Sequence, residues 1–390
     1  MGIYLDHAAT TYTDKRVLEQ MRPYFDEIYG NASSQHGFGR EAQKAVMKAR
    51  QQTADLIGCK CEEIYFTSGG TESDNWALKG IAEVAGKGHI ITTAVEHHAV
   101  LDTCEYLASR GFDVTFLPVD EQGRVSPESI LQAIRRDTIL ISVMFANNET
   151  GVIMPISQIG KIAREHDVLF HTDAVQAVGH VPLCVKAMDI DLLSMSAHKF
   201  YGPKGVGALY IREGVNIGRF MHGGAHEKGL RASTYNTPGI VGLGAAAQLA
   251  AETMDENIRH ESMLTGRLAD ELAKLPETHI NGSGAERLPG HINFTFGGIE
   301  AEALLTYLDI EGIAVSTGSA CSSGSFKPSY VLRAMGLSIE DARGSLRISV
   351  GRDNDTAQIE TVIEKTKATV ERLQKLSPLF AQTKGGKTHV

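Results

Sequence analysis

The sequence predicts an α/β protein, a large domain on a mostly parallel sheet joined to a smaller α+β domain. Three observations carry this reading. Short β-type runs alternate with segments of helical period through the first two-thirds of the chain. Several of these runs are continuously apolar, which indicates strands buried on both faces. Near residue 250 the texture changes to one long amphipathic stretch followed by a few further strands and helices.

Strands are expected at 63–68, 89–94, 114–119, 138–146, 168–173, 191–196 and 207–211. Helices at 100–109, 127–135 and 157–166 fall between them. Another helix should follow Gly69-Gly70, with Ala77, Ile81, Val84 and Ala85 on its apolar face at i, i+4, i+7 and i+8. In the last third Leu264, Leu268, Leu272 and Leu275 mark a long amphipathic helix. Strands at 291–295 and 346–350 and helices at 301–308 and 356–376 complete the pattern. The expected division is a large domain over 13–254 and a smaller one over 255–378. Residues 1–12 would join the smaller domain, and the Gly/Lys/Thr-rich end, 379–390, would be a frayed tail.

Composition narrows the function classes. The 390 residues include 38 basic and 47 acidic side chains, a net charge of −9, so neither nucleic acid nor a membrane surface is the default partner. With 42% apolar and 22% charged residues the chain is globular, not disordered. No apolar run approaches the ~20 residues that span a bilayer. The first residues lack the basic-then-apolar pattern of a secretory signal. Five thinly spread cysteines (Cys59, Cys61, Cys104, Cys184 and Cys321) make no disulfide framework, so a cytoplasmic protein is expected. Cys59-Lys60-Cys61 lacks the second pair that would complete a zinc site, and no metal is expected. Cys321 stands apart, because it lies in a run of small and polar residues, 316–325, that suits a mobile loop rather than a core.

Ligands of open α/β sheets bind at the carboxyl ends of the strands. The first such end is Ser68-Gly69-Gly70-Thr71, where the free N–H groups and dipole of a helix start can hold an anion. A tight turn capped by Thr71 is the plain alternative. The spacing fits neither the P-loop nor the dinucleotide fingerprint. The following ends deliver Glu96-His97-His98, Asn147-Asn148-Glu149, Asp173-Ala174-Val175-Gln176 and Ser196-Ala197-His198-Lys199. Such groups at the rim of an apolar sheet cost desolvation unless they serve a ligand. A desolvated Lys199 is suited to Schiff-base chemistry. Asp173, 26 residues earlier, could keep a heteroaromatic nitrogen protonated. With a phosphate anchor at Thr71, the set meets the needs of pyridoxal 5'-phosphate. A simple Lys199–Asp173 salt bridge is the alternative.

Three segments, in this order, resemble the cysteine desulfurase family of the NifS/IscS type, class-V aminotransferase-like pyridoxal-phosphate enzymes of fold type I. Thr67-Ser68-Gly69-Gly70-Thr71-Glu72-Ser73-Asp74-Asn75 resembles its phosphate segment. Ser196-Ala197-His198-Lys199 with Tyr201-Gly202-Pro203-Lys204-Gly205 resembles its cofactor-lysine segment. Ser319-Ala320-Cys321-Ser322-Ser323 with Pro328-Ser329-Tyr330 resembles its persulfide loop. The likeness runs from Tyr4 to about Leu376.

The resemblance implies an L-cysteine desulfurase that holds pyridoxal phosphate on Lys199 and pairs its ring nitrogen with Asp173. Gln176 and Asn148 would contact the ring hydroxyl and substrate region, and His97 would stack on the ring as acid/base. Gly70, Thr71, Ser196 and His198 would hold the phosphate, with Thr234 reaching it from the other subunit of a homodimer. Arg347 would grip the substrate carboxylate, Asn31 would line the entrance, and Cys321 would receive the sulfur and pass it to an acceptor protein. That acceptor would serve iron–sulfur cluster assembly or transfer-RNA thiolation. Lys228 and Ser233 stand where the family usually has Arg and Gly. A selenocysteine lyase or an aminotransferase on the same fold is the alternative reading, and a non-enzymatic scaffold is a further one.

Overall fold

The structure is a computed structural model that describes residues 2–318, 328–377 and 380. Its strands in chain order are β1 (Ile3–Tyr4), β2 (Ile64–Thr67), β3 (His89–Thr93), β4 (Asp113–Leu117), β5 (Thr138–Ser142) and β6 (Leu169–Asp173). They continue with β7 (Leu192–Ser196), β8 (Gly207–Ile211), β9 (Thr278–Ile280), β10 (His291–Phe296), β11 (Ile313–Ala314) and β12 (Ser345–Ser349). The continuous apolar runs fold as strands buried along their length, as in β2, β3, β7 and β8.

Seven strands form one sheet in the order β2-β8-β7-β6-β5-β3-β4. Neighbours are parallel except β8, which runs antiparallel to both β2 and β7. Only residues 197–206 separate β7 from β8, too few for the dozen or more that a parallel crossover takes. Six strands therefore point one way and end at one edge. The helix Gly70–Ala85 covers part of this sheet with Trp76, Ala77, Leu78 and Ile81 buried. The expectation for Val84 and Ala85 fails. Val84 is 45% exposed, because the buried face is set by the bulk of Trp76 and Leu78 and the last turn, ended by Gly86, lies in solvent.

A second core forms on the antiparallel sheet β12-β10-β9, where Ile292, Phe294, Phe296, Leu346 and Ile348 meet Leu264, Leu268, Leu272, Ile359 and Ile363. Leu5 joins this cluster, and β1 pairs in parallel with β11. The helix Thr237–Leu272 serves both cores, giving Ile240, Leu243 and Ala246 to the first and Leu264, Leu268 and Leu272 to the second. Its 36 residues span about 54 Å at the usual rise. Residues 254 and 255 lie inside this helix, with no linker between the cores. Val331, Leu332 and Met335, late in the chain, pack back into the first core. No helix among the described residues is long and apolar enough to cross a membrane.

Candidate active site

At the carboxyl edge of the six co-directed strands a cavity of about 250 Å³ opens. Its walls include Gly70, Thr71, His97, Asn148, Asp173, Gln176, Ser196, His198, Lys199 and Arg347. Each wall is set by local structure. The helix Gly70–Ala85 starts without a side-chain cap, so Thr71 does not cap it and its first N–H groups stay available for an anion. Glycine is required here on steric grounds. A Cβ on Gly70 would lie 2.5 Å from Val175 Cγ2, and one on Gly207 would lie 2.7 Å from the Gly69 backbone. The turn thus lies flat against the ends of β6 and β8.

His97 is the N-cap of the helix His98–Ser109, its Nδ1 accepting from the Ala99 N–H at 3.1 Å. A neutral ring held this way carries its proton on Nε2. The Lys199 Nζ donates to the carbonyls of Ala8 (2.7 Å) and Ala9 (2.9 Å), which brings the amino-terminal segment into the cavity wall. Gln176 Nε2 donates to the same Ala8 carbonyl at 3.0 Å. Arg347 is buried; its Nη2 pairs with Asp6 at 2.6 Å and its Nη1 donates to the Asn148 carbonyl at 2.8 Å. Its Nε has no partner and is closed to solvent, as is the Asn148 Oδ1.

Burial dominates the electrostatics. It raises the pKa of Asp173, which His97, the Val175 N–H and Lys199 pull back down. It lowers that of His97, and it lowers His198 to about 4, with Lys199 and Lys204 adding to the effect. His198 is therefore neutral near pH 7. Asp74, also in the wall, is pushed well above the carboxylate range by burial and by Asp173 beside it. Reading the sequence by strand ends missed Asp74, which stands four residues, one helical turn, after Gly70. The wall also contains Ala8, Ala9, Met144, Ala146 and Val175, which carry no polar signal in the sequence.

Two expected residues lie apart from this cavity. Asn31 is exposed, and its side chain accepts from the Ser33 N–H at 2.9 Å. Thr234 is exposed beside a different hollow, shared with Ser68, Arg231 and Tyr235. Cys321 falls outside the described residues. In the loop that departs from the family pattern, Lys228 Nζ donates to the Glu62 carbonyl at 2.6 Å and lies over the Tyr65 ring. Ser233 is exposed.

Comparison with known proteins follows the same outline. The family model described as aminotransferase class-V matches residues 3–362. The chain belongs to the class-V aminotransferase family. Among class-V relatives, a cysteine desulfurase IscS from Methanosarcina thermophila is 53% identical over 97% of this chain and 94% of its own length. A solved NifS-like protein superposes with a TM-score of 0.90 at 40% identity, covering 96% of this chain and 100% of that one. A structure described as SspA in complex with cysteine gives a TM-score of 0.81 at 39% identity, covering 90% of this chain and 99% of that chain.

Proposed function

We propose that the protein is a pyridoxal-phosphate-dependent L-cysteine desulfurase that moves the sulfur of free cysteine onto Cys321 and releases alanine. The observation that carries this is one cavity in which Lys199, Asp173 and Arg347 all form the wall, in a chain whose class-V relatives are named cysteine desulfurases.

The residues fit the cofactor. The uncapped helix start at Gly70-Thr71 with Ser196 and the neutral His198 suits a phosphate. Asp173 suits a ring nitrogen, whose positive charge would offset the cost of the buried carboxylate. Lys199 anchors the group covalently. When bound, pyridoxal phosphate supplies the electron sink that makes the Cα–H of cysteine acidic.

This chain's residues do the rest. Arg347, whose buried Nε donor is without a partner, takes up the substrate carboxylate and orients the Cα–H, while the unpartnered Oδ1 of Asn148 offers an acceptor to the donor groups of the substrate. Lys199 moves the Cα proton, and His97 holds on Nε2 the proton that is taken up by the carbon the sulfur leaves. The Cys321 thiolate then attacks the substrate sulfur; the C–S bond breaks, an S–S bond forms, and the electron pair left on carbon takes up a proton. The working form is a homodimer in which Thr234 reaches the partner's phosphate site. The bound sulfur passes to an acceptor protein in iron–sulfur cluster assembly or transfer-RNA thiolation.

The test is product stoichiometry. Holoenzyme given L-cysteine and a reductant should form alanine and sulfide in equal amounts. Formation of a keto acid with conversion of the cofactor to its pyridoxamine form would instead make it a transaminase.

A further inference from the structure

A second cavity, about 490 Å³, shares no lining residue with the first. Met154, Ile156, Pro182, Met188 and Ile258 give it largely apolar walls, and Arg287 lies in its lining. Among the described residues the Arg287 guanidinium is in no ion pair or hydrogen bond, and its Nη1 is closed to solvent. Glu286, the one carboxylate in the lining, is exposed and does not pair with it. Burial alone lowers the Arg287 pKa, with no acidic group opposing it. Arg287 is half-buried, and its Nη1, withdrawn from water without an acceptor, costs about 1–3 kcal/mol.

We infer that this cavity binds a small amphiphilic anion, its single anionic headgroup on Arg287 and its short aliphatic body against Met154, Ile156 and Ile258. The charge fits the unpaired guanidinium, the walls fit the aliphatic part, and the volume is that of a small-molecule pocket. The site is also wired to the first cavity. Arg287 bridges to Val152, and Leu288 donates to the Gly151 carbonyl at 2.9 Å. That segment follows directly on Asn148, whose own carbonyl holds Arg347.

Calorimetry of the holoenzyme with octanoate, and with octanol as the uncharged control, tests the site. Octanoate should bind saturably and at least about tenfold more tightly than octanol, the usual worth of a charged hydrogen bond. Excess L-alanine should not displace it. Arg287→Met should weaken octanoate about tenfold or more, and Ile258→Trp, which fills the cavity, should do the same with Arg287 intact. Equal affinity for octanoate and octanol, displacement by alanine, or wild-type binding by a folded Arg287→Met protein would each overturn the inference. The comparison of ligands on the wild-type protein decides the matter even if the variants fail to fold.

Discussion

Arg347 and Ser316 exchange two backbone hydrogen bonds, 2.6 Å from Arg347 N to the Ser316 carbonyl and 3.2 Å in return. The strand bearing the proposed carboxylate anchor is thereby fastened to the chain five residues before Cys321. The proposed substrate grip and the chain leading to the proposed nucleophile are thus joined through one pair of backbone hydrogen bonds.

Arg347→Lys keeps the charge but loses the planar fork that meets a carboxylate with two bonds. It should raise KM for cysteine by roughly tenfold to a hundredfold, the worth of a charge-assisted hydrogen bond. Steady-state kinetics at fixed cofactor loading would show it. An unchanged KM would remove Arg347 from substrate binding.

His97 caps a helix and is the proposed acid/base, two duties that substitutions can separate. His97→Ala removes both the imidazole and a helix cap, so it should lower kcat roughly 10²–10⁴-fold and also destabilise the fold by about 1 kcal/mol. Asparagine is a good N-cap, so His97→Asn should match that loss of turnover with little loss of stability. Denaturation curves beside activity assays distinguish the two.

Cys321→Ser should leave cofactor binding intact and end sulfur transfer. Incubation with sulfur-labelled cysteine should mark the wild-type chain and leave the variant unmarked. A labelled, active variant would assign the acceptor thiol elsewhere.

Stability depends on an ion pair outside the Lys199 cavity. Arg50 holds Glu227 with bonds of 2.7 and 2.9 Å, both side chains nearly closed to water, and Glu227 also accepts from the Phe66 N–H at 3.1 Å. Arg50→Met strands a buried carboxylate and should cost about 3–5 kcal/mol in chemical denaturation. Adding Glu227→Gln should restore part of that loss.

Glu261 sets a pH dependence. Burial raises its pKa to about 8, against the pull of Arg352. Between the ordinary glutamate value and pH 8 the folded chain holds this proton and the unfolded chain does not. Its contribution is thus full in acid and is lost as pH rises through about 8. Glu261→Gln should flatten the fall of Tm between pH 5 and 8 and stabilise the protein at pH 8 by up to about 4 kcal/mol. Parallel Tm profiles for wild type and variant would refute this.

The strands were legible because burial on both faces writes itself as continuous apolar runs; 207–211 and the helix at 356–376 match to the residue. The direction of β8 was not read from its own residues, although the ten-residue gap before it held the signal. The helix Thr237–Leu272 was read only in its second half, since its first half is small residues such as Gly242, Gly244, Ala245 and Ala246 with no leucine stripe. In the cavity, strand-end chemistry pointed to Asp173, His198 and Lys199. Arg347 came only from family likeness, because its pairing with Asp6 joins residues 341 positions apart. Asp74 was overlooked because a helix-borne acid normally reads as surface charge.

The carbonyls of Ala8 and Ala9 hold the Lys199 amine, so the segment carrying residues 8 and 9 is part of the proposed reaction centre. Deleting residues 1–10 would remove two carbonyls that accept from the Lys199 amine, one of which also accepts from Gln176 Nε2.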